Sequence, residues 1–278
     1  MSSRRDTDVT RVHEWKDGRI EARQDDLAAE EPLEIRVGDR PLTVTMRTPG
    51  NDFELAAGFL FTEGLVERPE QIVSIREATA AKFTERGNIV VVELAPEVKL
   101  DHESLQRNFF AASSCGICGK ASIDSVRRRG IRGISPDFRM SPETLCRLPE
   151  TLRASQEIFG RTGGLHAAGL FDRHGALLVE REDIGRHNAV DKIVGWALRE
   201  RRVPLAECAL IVSGRGGFEI IQKAAVAGIP VVASVSACSS LAVRLARDVG
   251  LTLAGFLRGQ RFVVYAGEER LGLVARND

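Results

Sequence analysis

Two thiols stand two residues apart in Cys115-Gly116-Ile117-Cys118-Gly119. Small residues flank them, from Ala112-Ser113-Ser114 on one side to Lys120-Ala121-Ser122 on the other, so little bulk shields either sulfur. The following run, Ala121 to Arg129, is predicted as a short helix. Its N-terminal dipole and Lys120 would lower a nearby thiol pKa, and the thiolate is the reactive form. On electrostatics alone Cys118, nearer both, is the more acidic thiol. A zinc site would need two further ligands, normally a second close pair. Cys146, Cys208 and Cys238 are scattered singly, and the histidines form no H-x3-5-H. A thioredoxin-type motif should follow a strand, and Gln106 to Phe110 is not a clear one. The pair is therefore read as an exposed, reactive cysteine loop, with no permanent metal expected.

The surrounding chain sets limits on the chemistry. Its 278 residues can bury a substantial core in one or two domains, and its formal net charge is zero. That balance gives no electrostatic case for nucleic acid or membrane surfaces. No apolar run reaches a membrane span, and Met1 to Arg11 lacks a signal-peptide apolar region. The expected location is the cytoplasm, where cysteines stay reduced and a CxxC serves catalysis or metal binding before structure.

Four regions are expected: a mobile N-terminal arm over 1–31, an α+β region over 32–130, a linker over 131–150, and an α/β region over 151–278. Leu33–Val37 and Leu42–Met46 alternate about a Gly38–Pro41 turn, a hairpin signal. Asn51 or Asp52 can cap a helix carrying Phe53, Ala56, Ala57, Leu60 and Phe61. Strands are predicted near Ile72–Ile75 and Asn88–Leu94, and a helix over Thr151–Phe159.

Downstream, polar turns punctuate strands and helices. Gly163 and Gly164 precede His166 and a strand-like end. Paired glycines admit close backbone approach, while a lone histidine among small apolar residues is commonly a hydrogen-bonded core residue. Within Glu182 to Lys192, the carboxylates Glu182 and Asp183 join Arg186, His187 and Asn188 in a turn ahead of an amphipathic helix. Such strand-to-helix turns are where α/β proteins place ligands, though Asp183 or Asn188 equally suits ordinary capping. Ser213-Gly214-Arg215-Gly216-Gly217 follows the strand Ala209–Val212. Ser236 to Ser240 follows Pro230–Ser234, and Leu251–Leu257 is a third strand. The alternation predicts a layered α/β sheet with parallel strands. Helix-start N–H groups suit phosphate, and Arg215, Arg258 and Arg261 add charge. The spacing matches neither a Walker A loop nor G-x-G-x-x-G.

Met46 to Gly64 and the cysteine loop resemble the formate dehydrogenase accessory sulfurtransferase family, known as FdhD. So do Thr162–Ala168, Glu182–Lys192, Ser213-Gly214-Arg215, Gly228–Val231 and Gly255–Arg258, from about residue 33 to residue 266. The resemblance implies a cytidine-deaminase-like α/β fold, a homodimer and sulfur transfer required for formate dehydrogenase activity. It implies a cysteine desulfurase as sulfur donor and molybdenum bis(molybdopterin guanine dinucleotide) as bound client cofactor. It assigns the persulfide to Cys115, and cofactor binding partly to the stretch Phe256, Leu257, Arg258, Gly259, Gln260 and Arg261. Gly163, Gly164, His166, Arg186, His187, Asn188, Ser213, Gly214 and Arg215 complete the candidate cofactor residues. Cys238 departs from an expected proline, and Gly217 from a common serine. Deaminase chemistry does not follow, because His166 is followed by Ala167-Ala168 with no acid and the CxxC lies upstream. A non-catalytic chaperone of the molybdenum cofactor is the alternative, and a zinc-stabilised interaction protein a third class.

Overall fold

The computed structural model describes residues 6–78, 87–100 and 134–273. Cys115, Cys118 and the helix expected over 121–129 fall outside them.

The chain opens with strands β1 (Thr7–Lys16) and β2 (Arg19–Ala28), paired antiparallel in a two-stranded sheet of their own. This corrects the expectation of an arm without regular structure. The turn residues Asp17 and Gly18 both take positive φ, 50° and 78°, which matches the right-handed twist of a two-residue hairpin. Apolar periodicity is weak because the outer ribbon is exposed on both faces, Trp15 and Ile20 being 72% and 70% accessible. The base is held by Arg161, which bonds Thr7 and pairs with Asp26 at 3.5 Å.

β3 (Glu31–Val37), β4 (Arg40–Arg47), β5 (Ile72–Glu77) and β6 (Ile89–Leu94) form a four-stranded sheet in the order β4-β3-β6-β5. The predicted hairpin and both predicted strands are thus present. Helix α1 (Asp52–Thr62) follows β4. Arg47, fully buried, grips Asp52 through Nε–Oδ1 at 2.9 Å and Nη2–Oδ2 at 3.0 Å. Two hydrogen bonds to an ion carry much of the cost of burying the guanidinium.

α2 (Pro142–Ser155) and α3 (Glu157–Thr162) come next. α2 starts nine residues before the helix expected from Thr151 and occupies part of the expected linker. Ser141 caps it by accepting from Thr144 N, and Pro142 takes the first helical position, where no N–H is needed. Pro149 lies inside the helix.

A six-stranded sheet forms the centre of the remaining chain. It contains β7 (His166–Asp172), β8 (Leu177–Asp183), β9 (Cys208–Val212), β10 (Val231–Ser234), β11 (Thr252–Arg258) and β12 (Arg261–Ala266), ordered β12-β11-β10-β9-β7-β8. β9, β10 and β11 run parallel, and the flanking strands are antiparallel to their neighbours. Every residue of β9 and β10 is buried, as parallel strands covered on both faces must be. Helices α4 (Arg186–Arg199), α5 (Phe218–Val226) and α6 (Ser240–Val249) share one apolar cluster with Leu210, Val232 and Leu253. Leu145, Leu148 and Leu152 of α2 pack with Ile211, Val231 and Leu257 in a second cluster. The chain is therefore an α/β protein with an α+β N-terminal region.

The two regions share a core: Leu33, Ile35, Leu55, Leu60 and Val90 lie in one cluster with Val190 and Ile193. α1 and α4 cross backbone to backbone. A Cβ on Gly58 would lie 1.8 Å from Asp191 O, and one on Gly195 1.8 Å from Glu54 O. Among the described residues, no helix is long and apolar enough to cross a membrane.

Candidate functional site

The sheet register brings the polar turns to one end. β9, β10 and β11 all finish there, and β7, running the other way, begins there with His166. Ala168 pairs with Val212 and Ser234 with Val212, while His166 pairs with Asp183 at the end of β8. α4, α5 and α6 start from the same end. This is the carboxyl edge of the parallel strands β9, β10 and β11, where open α/β folds place ligands.

Successive turns are stitched into a rim. Ser234 Oγ donates to Gly214 O at 2.6 Å, and Gly216 N to Ala237 O at 3.0 Å. Phe256 N donates to Ser236 O at 3.0 Å, and Arg258 Nε to Val235 O at 3.3 Å. Phe256 holds a φ of 53° although it is not glycine, and the residue is 41% accessible. Backbone strain of this kind concentrates at ligand sites. Arg215, Arg258, Gly259, Gln260 and Arg261 are exposed alongside it.

At the β7 side of the rim, cations gather around a neutral ring. A Cβ on Gly214 would sit 3.2 Å from His166 Nδ1, a tight contact, and 3.7 Å from Arg186 Cδ, so this turn lies directly against both side chains. Burial first, then the charges of Arg186, His187 and Arg215, hold the His166 imidazole below its ordinary value, opposed by Asp183. The ring is neutral at pH 7. Arg186 Nε is buried without a hydrogen-bond partner. A buried unpaired guanidinium donor is costly, and an incoming anion would relieve that cost. His187 Nε2 lies 2.9 Å from Glu219 Oε2.

Other predicted residues serve the framework. Asn188 Nδ2 donates to Met46 O at 2.8 Å and to Asp183 Oδ1 at 3.0 Å. Ser213 Oγ accepts from Ala167 N at 2.9 Å. Gly163 ends α3 in the left-handed conformation, and Gly164 faces Ala28 of the hairpin base. Leu257 is wholly buried in the second apolar cluster and anchors the hairpin instead of facing a ligand. Three residues outside the predicted set fix the edge: Lys192 Nζ donates to Asp183 Oδ2 at 2.7 Å and to Thr48 O at 3.0 Å. Thr48 and Lys192 each lie within a stretch singled out by resemblance, but only the tertiary fold joins the two stretches. Glu219 also stood outside the set; its signal was its place just after the Gly-rich turn.

The described thiols are subdued. Burial raises the Cys208 and Cys238 thiols to about 11, and raises Cys146 as well. Cys238 Sγ is wedged where Gly216 and Gly255 lack side chains, 2.8 Å and 2.9 Å from their would-be Cβ atoms. At pH 7.5 thiolate should be about 100-fold scarcer at Cys208 and Cys238 than on an ordinary thiol. Iodoacetamide treatment of the native protein, followed by peptide mass spectrometry, should therefore leave Cys146, Cys208 and Cys238 unmodified while Cys115 and Cys118 react. Equal rates at Cys238 would contradict its burial.

A glycine-rich rim at the carboxyl edge of the parallel strands, with Arg186, Arg215, Arg258 and Arg261 on its turns, marks the candidate site of an α/β protein. The sequence matches the FdhD/NarQ family over residues 28–272, and the chain belongs to that family. It is 52% identical over 273 residues to the Sulfur carrier protein FdhD of Streptomyces avermitilis, covering 97% of each chain. It is 49% identical over 268 residues to the protein of the same name from Mycobacterium tuberculosis, covering 94% of this chain and 97% of that one. The fold is similar to the crystal structure of a formate dehydrogenase accessory protein candidate from Desulfotalea psychrophila. The TM-score is 0.76 at 24% identity, over 95% of this chain and 99% of that one.

Proposed function

We propose that the chain is a sulfurtransferase that carries persulfide sulfur from a cysteine desulfurase to the molybdenum bis(molybdopterin guanine dinucleotide) cofactor, and so activates formate dehydrogenase. The family membership supports sulfur carriage. The buried, unpartnered Arg186 Nε beside His166, His187 and Arg215 carries the cofactor half, because phosphate groups of a guanine dinucleotide are the matching chemistry. Phe256 offers a ring face for a planar heterocycle, with Arg258 and Arg261 at its side. The protein acts in the cytoplasm as a homodimer.

The chemistry is thiol exchange. The Cys115 thiolate attacks the outer sulfur of the desulfurase persulfide, whose cysteine leaves as thiolate, and Cys115 then bears the persulfide. The Cys118 thiolate can next attack the inner sulfur. The outer sulfur leaves as sulfide for molybdenum, and a Cys115–Cys118 disulfide keeps the two-electron oxidation. The rim alone equally suits a chaperone that delivers the cofactor without sulfur chemistry, and cysteine variants separate the two.

Cofactor binding is tested with guanosine diphosphate as a fragment. Arg258→Ala should weaken its binding by about 1.5–3 kcal/mol, the worth of a charge-assisted hydrogen bond. Unchanged affinity in titration calorimetry would count against the rim.

A further inference from the structure

We propose that Glu219 is a built-in competitor for the anion that this rim receives. The inference rests on the rim being an anion site, and it concerns what an anion must displace to enter.

Two carboxylates stand beside the cationic cluster, and they differ in availability. Asp183 is fully engaged. Its Oδ2 accepts from Lys192 Nζ at 2.7 Å and Thr48 N at 3.3 Å, and its Oδ1 from Gly185 N at 2.8 Å and Asn188 Nδ2 at 3.0 Å. It is neutralised inside the framework and offers the rim little charge. Glu219 is different. Its side chain is 56% accessible, and it bonds the His187 ring through Oε2 at 2.9 Å.

The position of Glu219 is one that favours negative charge. It sits in the first turn of α5, whose N-cap, Gly217, supplies no side-chain cap. The helix start and the neighbouring cations both attract an anion there. The hydrogen bond from His187 lowers the Glu219 carboxyl below its ordinary value, helped by the charges of His187, Lys223 and Arg186. The contact joins the first turn of α5 to the first turn of α4, where His187 lies. A phosphate approaching Arg186 and His187 therefore meets a carboxylate already holding one of its partners. Glu219 leaves Arg186 Nε unpaired, so one donor of the cluster is not taken up by the carboxylate.

Displacing the carboxylate costs every anion alike. A singly charged ion with one contact recovers little of that cost. A diphosphate bonds several donors at once and recovers it readily. Glu219 thus sets a threshold that common small anions do not pass. A positioning role is the opposite possibility: the carboxylate would orient His187 for the ligand, and its loss would weaken binding. The two roles predict opposite signs.

The test is titration calorimetry of the full chain and of Glu219→Gln with guanosine diphosphate, at low and at moderate salt. Glutamine keeps the size and the hydrogen-bonding capacity and removes the charge. The variant should bind about fivefold tighter at low salt, the scale of one partly exposed charge interaction, and the gap should narrow as salt screens it. Inorganic pyrophosphate should show the same gain. Equal or weaker binding by the variant overturns the proposal while leaving the anion site in place. Failure of both proteins to bind either ligand overturns the anion site and the competitor with it.

Discussion

Cys115→Ala should lose both persulfide formation and activation of formate dehydrogenase. The expectation follows from what the rest of the chain withholds. Cys146 and Cys208 are buried, and Cys238 is pinned against Ala254 O and two glycines. Burial raises all three thiols, so none supplies a substitute thiolate at neutral pH. The resemblance assigns the carrier to Cys115, whereas proximity to Lys120 favours Cys118, and the two variants separate these choices. Cys118→Ala should still accept sulfur while failing to deliver it, if Cys118 is the thiol that expels sulfide. Cys146→Ala and Cys208→Ala should transfer sulfur nearly normally. Each variant is loaded with a desulfurase and free cysteine, and the added sulfur is located by peptide mass spectrometry. Sulfur on Cys118 of Cys115→Ala, with full client activation, would reverse the assignment. Retained activation by a variant lacking both cysteines would favour the chaperone.

The second large effect is expected at the α1–α4 crossing. Alanine normally stabilises a helix relative to glycine, by about 0.5–1 kcal/mol. Gly195→Ala should do the reverse. Its methyl would lie 1.8 Å from Glu54 O and 2.8 Å from Gly58 N, both backbone atoms that no rotamer change can move. The helices must separate, and the shared core around Leu55, Leu60, Val190 and Ile193 opens with them. Overpacking of a core costs about 1–3 kcal/mol, and a backbone clash belongs at or above the top of that range. Thermal unfolding should show a fall of about 10 °C, at some 2–4 °C per kcal/mol for a chain near this size. Gly58→Ala should match it. Gly160→Ala, inside α3 and with nothing within 4 Å of its added Cβ, is the control and should keep or slightly raise the melting point, as helix propensity alone predicts. An unchanged melting point for Gly195→Ala would mean the helices do not touch in this way.

The legible parts of the fold were those with an apolar rhythm. The β3–β4 alternation, the α1 face and the buried run of β9 each announce a period that packing then enforces. The β1–β2 ribbon escaped because both of its faces are wet over most of its length. Its one local signal is the Asp17-Gly18 dipeptide, a hairpin turn pair that stands among charged residues. The start of α2 is marked by Ser141-Pro142, inside a stretch whose prolines, serines and arginines read as a linker. The candidate site was legible as separate motifs, because glycine, arginine and histidine cluster at strand-to-helix turns. Their union was not. Nothing in spacing tells that β7 runs against β9 and so delivers His166 to Gly214, or that Asn188 and Ser213 bond backbone.

Consecutive residues of α4 point about 100° apart around its axis. Asp191 takes Lys223 at 2.9 Å and Thr62 at 2.7 Å on one side, while Lys192 takes Asp183 at 2.7 Å on another. All of these side chains except that of Asp183 come from helices or loops outside the β8 strand, and all are buried. Rolling α4 by one residue would strand two charges in the core, at a cost of several kcal/mol for each broken pair. The helix is keyed like a lock barrel at a single angular setting. Arg186 and His187 at its first turn inherit that setting before any ligand arrives. A ligand of the proposed kind would meet a preorganised wall on the α4 side, and the adjustments of fit would fall to the ligand.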